Sequence, residues 1–115
     1  MTTMPDLEFD LDELIGVFGI PLPLSNPELL DYWFRFDRED GVSVTLSLSG
    51  YERSVAIIVR MDAAVACSLV RIERCARVRV LEPDRKTVEV VGDKPPVRCF
   101  LALNGESILD VQIPG

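Results

Sequence analysis

From residue 32 to the end of the chain, apolar and polar side chains alternate almost one by one; before residue 32 they do not. In YWFRFDR (32–38), Tyr32, Phe34 and Phe36 share one side, and Trp33, Arg35 and Asp37 share the other. That is the period of a half-buried strand. An Asp40-Gly41 turn leads into VSVTLSLS (42–49), where Val42, Val44, Leu46 and Leu48 alternate with serine and threonine. After Gly50-Tyr51, SVAIIVRM (54–61) reads as a more fully buried strand. Residues 62–66 fit either a loop or a turn of helix. CARVRVLE and the residues before it, 67–82, alternate as one bent strand or two, with Val70, Ile72, Ala76, Val78 and Val80 opposite Arg71, Glu73, Arg77 and Arg79. TVEVV (87–91) follows a turn at 83–86. VRCFLAL (97–103) and SILDVQI (107–113) flank Asn104-Gly105, the strongest hairpin signal in the chain.

The first quarter reads differently. Residues 1–9 show no regular period. In DLDELIGVFG (10–19), Leu11, Leu14, Ile15 and Phe18 share a helical face. Asp10 stands at the cap with Glu13 three residues on, and Gly19, Pro21 and Pro23 end the helix. SNPELL (25–30) offers a second start, with Pro27 at a first helical position. The expected fold is α+β with β dominant: an antiparallel meander of about seven strands with one or two short N-terminal helices. A chain of 115 residues has room for one domain, with residues 1–31 as an acidic segment and 32–115 as sheet.

Charge sharpens that division. Residues 1–31 hold Asp6, Glu8, Asp10, Asp12, Glu13, Glu28 and Asp31 with no lysine or arginine, so the whole formal charge of −7 resides there. The other 12 carboxylates balance the 12 basic side chains of residues 32–115. A purely solvating tail would not carry Leu7, Phe9 and Leu11 among its charges. The segment is expected to lay its apolar side on the sheet and turn its carboxylates outward, which attracts basic partners and repels acidic ones.

The chain has no histidine, the commonest general base and metal ligand. Cys67, Cys75 and Cys99 form no CxxC spacing, so they read as reduced fillers rather than zinc ligands. On the strand alternation Cys67 and Cys75 fall opposite the valines, whereas Cys99 aligns with Val97 and Leu101. The glycines form no phosphate-cradling loop. Asp6, Glu8, Asp10 and Asp12 lack the glycine and terminal glutamate of a calcium loop. Arg71, Arg74, Arg77 and Arg79 cluster, but their strand interleaves no aromatics and the net charge opposes a phosphate backbone. These features argue against an enzyme, a cofactor or direct nucleic-acid binding. No apolar run approaches membrane-spanning length, and the acidic start is unlike a secretion signal, so the cytoplasm is the expected compartment.

The sequence YWFRFDREDGVSVTLSLSGYERSVAIIV, preceded by a short acidic helix and followed by a meander ending in NGESILDVQI, resembles the small immunity (antitoxin) proteins of bacterial polymorphic toxin and contact-dependent competition systems. The resemblance implies a cytoplasmic protein that binds one cognate toxin domain and covers its active site. Many such toxins are nucleases or nucleobase deaminases with basic clefts, which an acidic inhibitor suits. Asp6, Glu8, Asp10, Asp12 and Glu13, with Glu28 and Asp31, would then supply the charge. Asp37, Glu39, Asp40, Tyr51 and Glu52 would form a neighbouring contact edge, and Trp33 is either an apolar anchor or part of the core. Two other classes remain: a small-molecule module using a curved sheet as a cup, and a homo-oligomeric structural or adaptor protein.

Overall fold

The computed structural model describes residues 7–61, 65–82, 84, 86–93, 96–105 and 108–112, with residues 65–67 described by backbone alone. Among these residues eight strands form two four-stranded antiparallel sheets, each in sequence order. The first sheet comprises β1 (Asp31–Asp37), β2 (Val42–Ser49), β3 (Ser54–Met61) and β4 (Val65–Ile72). The second comprises β5 (Cys75–Glu82), β6 (Thr87–Gly92), β7 (Val97–Ala102) and β8 (Leu109–Gln112).

The single meander needs correction, whereas the strand count roughly matches the seven expected; one place decides both. The segment 67–82 is two strands, because the chain breaks at Glu73-Arg74, where Arg74 adopts φ 56°. The break, together with a β-bulge between Cys75 and Arg77, takes Cys75 out of the alternation that Ile72 and Val78 share. Ile72 points inward, and three residues later Cys75 does too, its thiol donating to the Val91 carbonyl at 3.2 Å. Cys75 is therefore a core residue, not one opposite the valines. The break also sends Arg71 to the first sheet and Arg77 and Arg79 to the second, so the arginines share no single face.

Elsewhere the alternation holds. Tyr32, Phe34, Val44, Leu46, Leu48, Val55 and Ile57 bury their side chains from the first sheet, and Val78, Val88, Val90, Cys99 and Leu101 from the second. They form one hydrophobic cluster. Val65 and Ala66 belong to β4, which resolves that part of the ambiguous stretch; residues 62–64 lie outside the described set.

Helix α1 (Leu11–Phe18) packs on β1 and β5 through Leu14, Val17 and Phe18. The Asp10 carboxylate accepts the Glu13 amide at 3.2 Å, and Gly19, at φ 91°, donates to the Ile15 carbonyl. The second helix shrinks to a 3-10 turn, Pro27–Leu29. Its would-be cap is employed elsewhere: the Ser25 hydroxyl accepts the Trp33 amide at 2.9 Å, and Asn26 exchanges main-chain bonds with Asp31. Together with a bond from the Leu22 amide to the Trp33 carbonyl (2.7 Å), these cover the free edge of β1.

Candidate functional site

Residues 7–9, expected to be irregular, are pinned. The Leu7 amide donates to the Gly50 carbonyl at 3.1 Å, in the β2–β3 turn of the first sheet. Glu8 lies parallel to β5 of the second sheet, donating to the Ala76 carbonyl at 3.1 Å and accepting the Val78 amide at 2.8 Å. Leu7 is buried, Phe9 and Leu11 are partly buried, and the Phe9 ring meets Tyr32 edge-on at 5.8 Å. Glu8, Asp10, Asp12 and Glu13 are exposed. The leader thus presents carboxylates outward from an apolar footing, as its pattern required. Asp6 lies outside the described residues.

The other acidic positions divide into two groups. The Gly50 amide donates to the Leu30 carbonyl at 2.9 Å, so Asp31, Glu28, Tyr51 and Glu52 gather at the same end of the first sheet as Leu7 and Glu8. Glu28, Tyr51 and Glu52 are exposed, and Asp31 is partly so. Asp37, Glu39 and Asp40 sit at the opposite end of β1, about 20 Å away at the rise of a strand. The two groups do not form a neighbouring edge.

Around the second group, Arg38 is fully engaged. Its Nη1 donates to the carbonyls of Leu103 (3.0 Å) and Gly105 (2.7 Å), and its Nε and Nη2 reach the Asp40 carboxylate at 3.2 and 3.0 Å. One guanidinium therefore ties the β1–β2 hairpin to the β7–β8 turn. The hydrogen bonds from Arg38 and from the Val42 amide hold the Asp40 carboxyl below its ordinary value. Phe36, Asp37, Glu39 and Leu103 line an open recess of about 400 Å³ here, and Lys86 Nζ sits 4.7 Å from the Phe36 ring centre.

Trp33 projects from the outer face of the first sheet and is partly buried. By register its neighbours across that face are Ser47, Ala56 and Arg71, with Arg35, Thr45, Ile58 and Leu69 in the next row. The outer face of the second sheet holds Glu89, only 2% exposed, between Arg79 (2.8 Å) and Arg98 (3.1 Å). Phe100 stands opposite Glu89 on β7, and Arg98 lies over its ring. The aromatic absent from the arginine strand is thus supplied by another strand, which single-strand alternation does not reveal.

Sequence reasoning also passed over Ile20, Leu24 and Leu29. They are exposed (86%, 59% and 52%) on the loop braced against β1. Their one signal was apolar residues among prolines in GIPLPLSNPELL, a pattern with no period. Among the described residues no three histidine, cysteine, aspartate or glutamate side chains converge as a metal site. No helix among them is long and apolar enough to cross a membrane.

No protein-family model and no curated protein matches the chain. Among solved structures it is similar to a chain of the contact-dependent growth inhibition toxin–immunity protein complex from Klebsiella pneumoniae 342, with a TM-score of 0.76. The match covers 96% of this chain and 98% of that one at 11% identity, a likeness of fold. The resemblance read from the sequence therefore has a counterpart in three dimensions.

Proposed function

We propose that this chain is an immunity protein that binds a cognate toxin domain and neutralises it by covering the active site, without chemistry of its own. The observation that carries the reading is the end-to-end fold match to a chain of a toxin–immunity complex. The anchored leader supports the electrostatic half of the mechanism. Glu8, Asp10, Asp12 and Glu13 are exposed on a segment held to both sheets, so their charge is pre-positioned. Such a surface suits a toxin whose cleft is basic because it acts on nucleic acid, as a nuclease or nucleobase deaminase does. Glu28, Asp31, Tyr51 and Glu52 extend the same contact region, with Trp33 as an apolar anchor. Asp37, Glu39 and Asp40 serve a toxin large enough to reach the far hairpin.

The test is to express the product of each neighbouring gene with and without this chain and to seek one that is toxic alone. The wild-type chain is expected to restore growth and to co-purify with that product. Neutralising Glu8, Asp10, Asp12 and Glu13 to amides should weaken the complex and flatten its salt dependence. Unchanged affinity and salt slope would remove the leader from the contact, and failure to protect would remove the reading.

One observation favours a second reading, homo-oligomerisation. β4 pairs only with β3 among the described residues, and its Leu69 is 66% exposed. Light scattering across a concentration series separates the two: a constant monomer mass rejects the oligomer.

A further inference from the structure

We infer that the groove between the Leu7–Glu13 segment and β5 is a slot for an extended cationic segment of the protein partner, which pairs with β5 beyond the point where Glu8 leaves it. The inference rests on the partner-binding reading above and adds the form and charge of what is bound.

The main-chain geometry comes first. The Val78 amide points away from β6, since it donates to the Glu8 carbonyl. Main-chain groups two residues apart on a strand face the same edge, so the Val78 carbonyl and the Val80 amide also face away from β6. The described part of the leader does not reach them. Phe9 turns its ring to Tyr32, and Asp10 leaves the strand path to cap α1. Among the described residues no main-chain or side-chain group pairs with the Val80 amide. β5 therefore offers a short unpaired edge directly ahead of a covered one.

A groove of about 350 Å³ lies at that edge, lined on one side by Glu8, Asp10 and Glu13 and on the other by Arg77 through Val80. Its charge decides what it accepts. Arg79 is committed to Glu89 at 2.8 Å. None of the three carboxylates has an ion pair among the described residues, and they outnumber the remaining cation, Arg77. The rim is anionic, so a segment bearing lysine or arginine at alternate positions is favoured. Arg77 adds a separate demand: its Nε is buried and has no acceptor among the described residues. An added strand brings main-chain carbonyls, the kind of acceptor that is missing.

The experiment titrates the ¹⁵N-labelled full chain with acetyl-Lys-Val-Lys-Val-Lys-Val-amide, the same peptide N-methylated at alternate residues, and acetyl-Glu-Val-Glu-Val-Glu-Val-amide. The lysine peptide is expected to shift the amides of Glu8–Leu14 and Arg77–Val80 saturably. N-methylation on the edge facing β5 keeps the charge and should weaken binding at least tenfold, and Glu13→Lys in the protein at least fivefold. No shift at those amides, equal binding of the glutamate peptide, indifference to N-methylation, or shifts confined to the β4 edge would each overturn the slot. None of those results bears on toxin protection, which the co-expression assay reads independently.

Discussion

Leu30 occupies the space that a side chain on Gly50 would need. A Cβ built on Gly50 would lie 2.7 Å from the Leu30 Cβ and 2.9 Å from its Cδ1. Leu30 itself sits at φ 52°, and its carbonyl accepts the Gly50 amide. The two residues fasten the loop before β1 onto the β2–β3 turn, where Leu7 is also tied. Gly50→Ala is expected to cost about 1–3 kcal/mol by overpacking, measured by urea denaturation. Leu30→Gly removes the clashing Cβ and relieves the left-handed backbone, so the double variant should be more stable than the summed singles by about 1 kcal/mol.

Arg38 is the tie at the opposite end. Arg38→Ala removes two bonds to carbonyls of the β7–β8 turn and the pair with Asp40. Stability should fall by about 1–3 kcal/mol, and hydrogen exchange near Leu103 should quicken. The Asp40 carboxyl, held low chiefly by the Arg38 hydrogen bond, should titrate higher in the variant, toward 3.8. Carboxyl-detected NMR reads that change directly.

Glu89 needs at least one of its arginines. With both Arg79 and Arg98 present the buried carboxylate is paired twice. Either single change to alanine leaves one partner and should cost about 1 kcal/mol. The double change strands a buried charge and should cost about 3–5 kcal/mol. Denaturation midpoints of the three variants check the excess over additivity.

The two buried thiols set an alkaline limit. Burial pushes Cys75 and Cys99 up to about 11, from 9.0. A group with a raised folded-state value stabilises fully below its unfolded value and loses that contribution as pH rises through the folded one. The melting temperature should therefore fall between pH 9 and about 11. Cys75→Ala with Cys99→Ala should flatten that decline, and the Cys75 and Cys99 thiols at pH 8 should resist iodoacetamide.

How far the sequence foretold this molecule follows from how local each signal was. The strand positions were readable because one face of each is buried, which imposes a period of two, with 67–82 open between one strand and two. Where the chain left one sheet for the other, at Arg74, the alternation broke between Ile72 and Cys75, and no local rule announces a positive φ at an arginine. That break hid the two-sheet architecture, and with the bulge after Cys75 it hid the placement of that residue. The leader was legible because charge and apolarity alternated in it. The separation of Asp37–Asp40 from Glu52 was not, since it depends on which strand ends meet. Phe100 beside Arg79 and Arg98 is a register fact spanning three strands.

The leader divides its labour between main chain and side chains, and that division bears on how such a protein changes over generations. The peptide groups of Leu7 and Glu8 join the two sheets, while the side chains at 8, 12 and 13 only face outward. Asp10 alone serves both ends, because its carboxylate caps α1. Natural selection can therefore rewrite positions 8, 12 and 13 almost freely, and position 10 among capping residues, while the architecture stays put. On the proposed immunity reading, recognition of a changed toxin can then be retuned by a handful of point substitutions, without first surviving an unfolded intermediate.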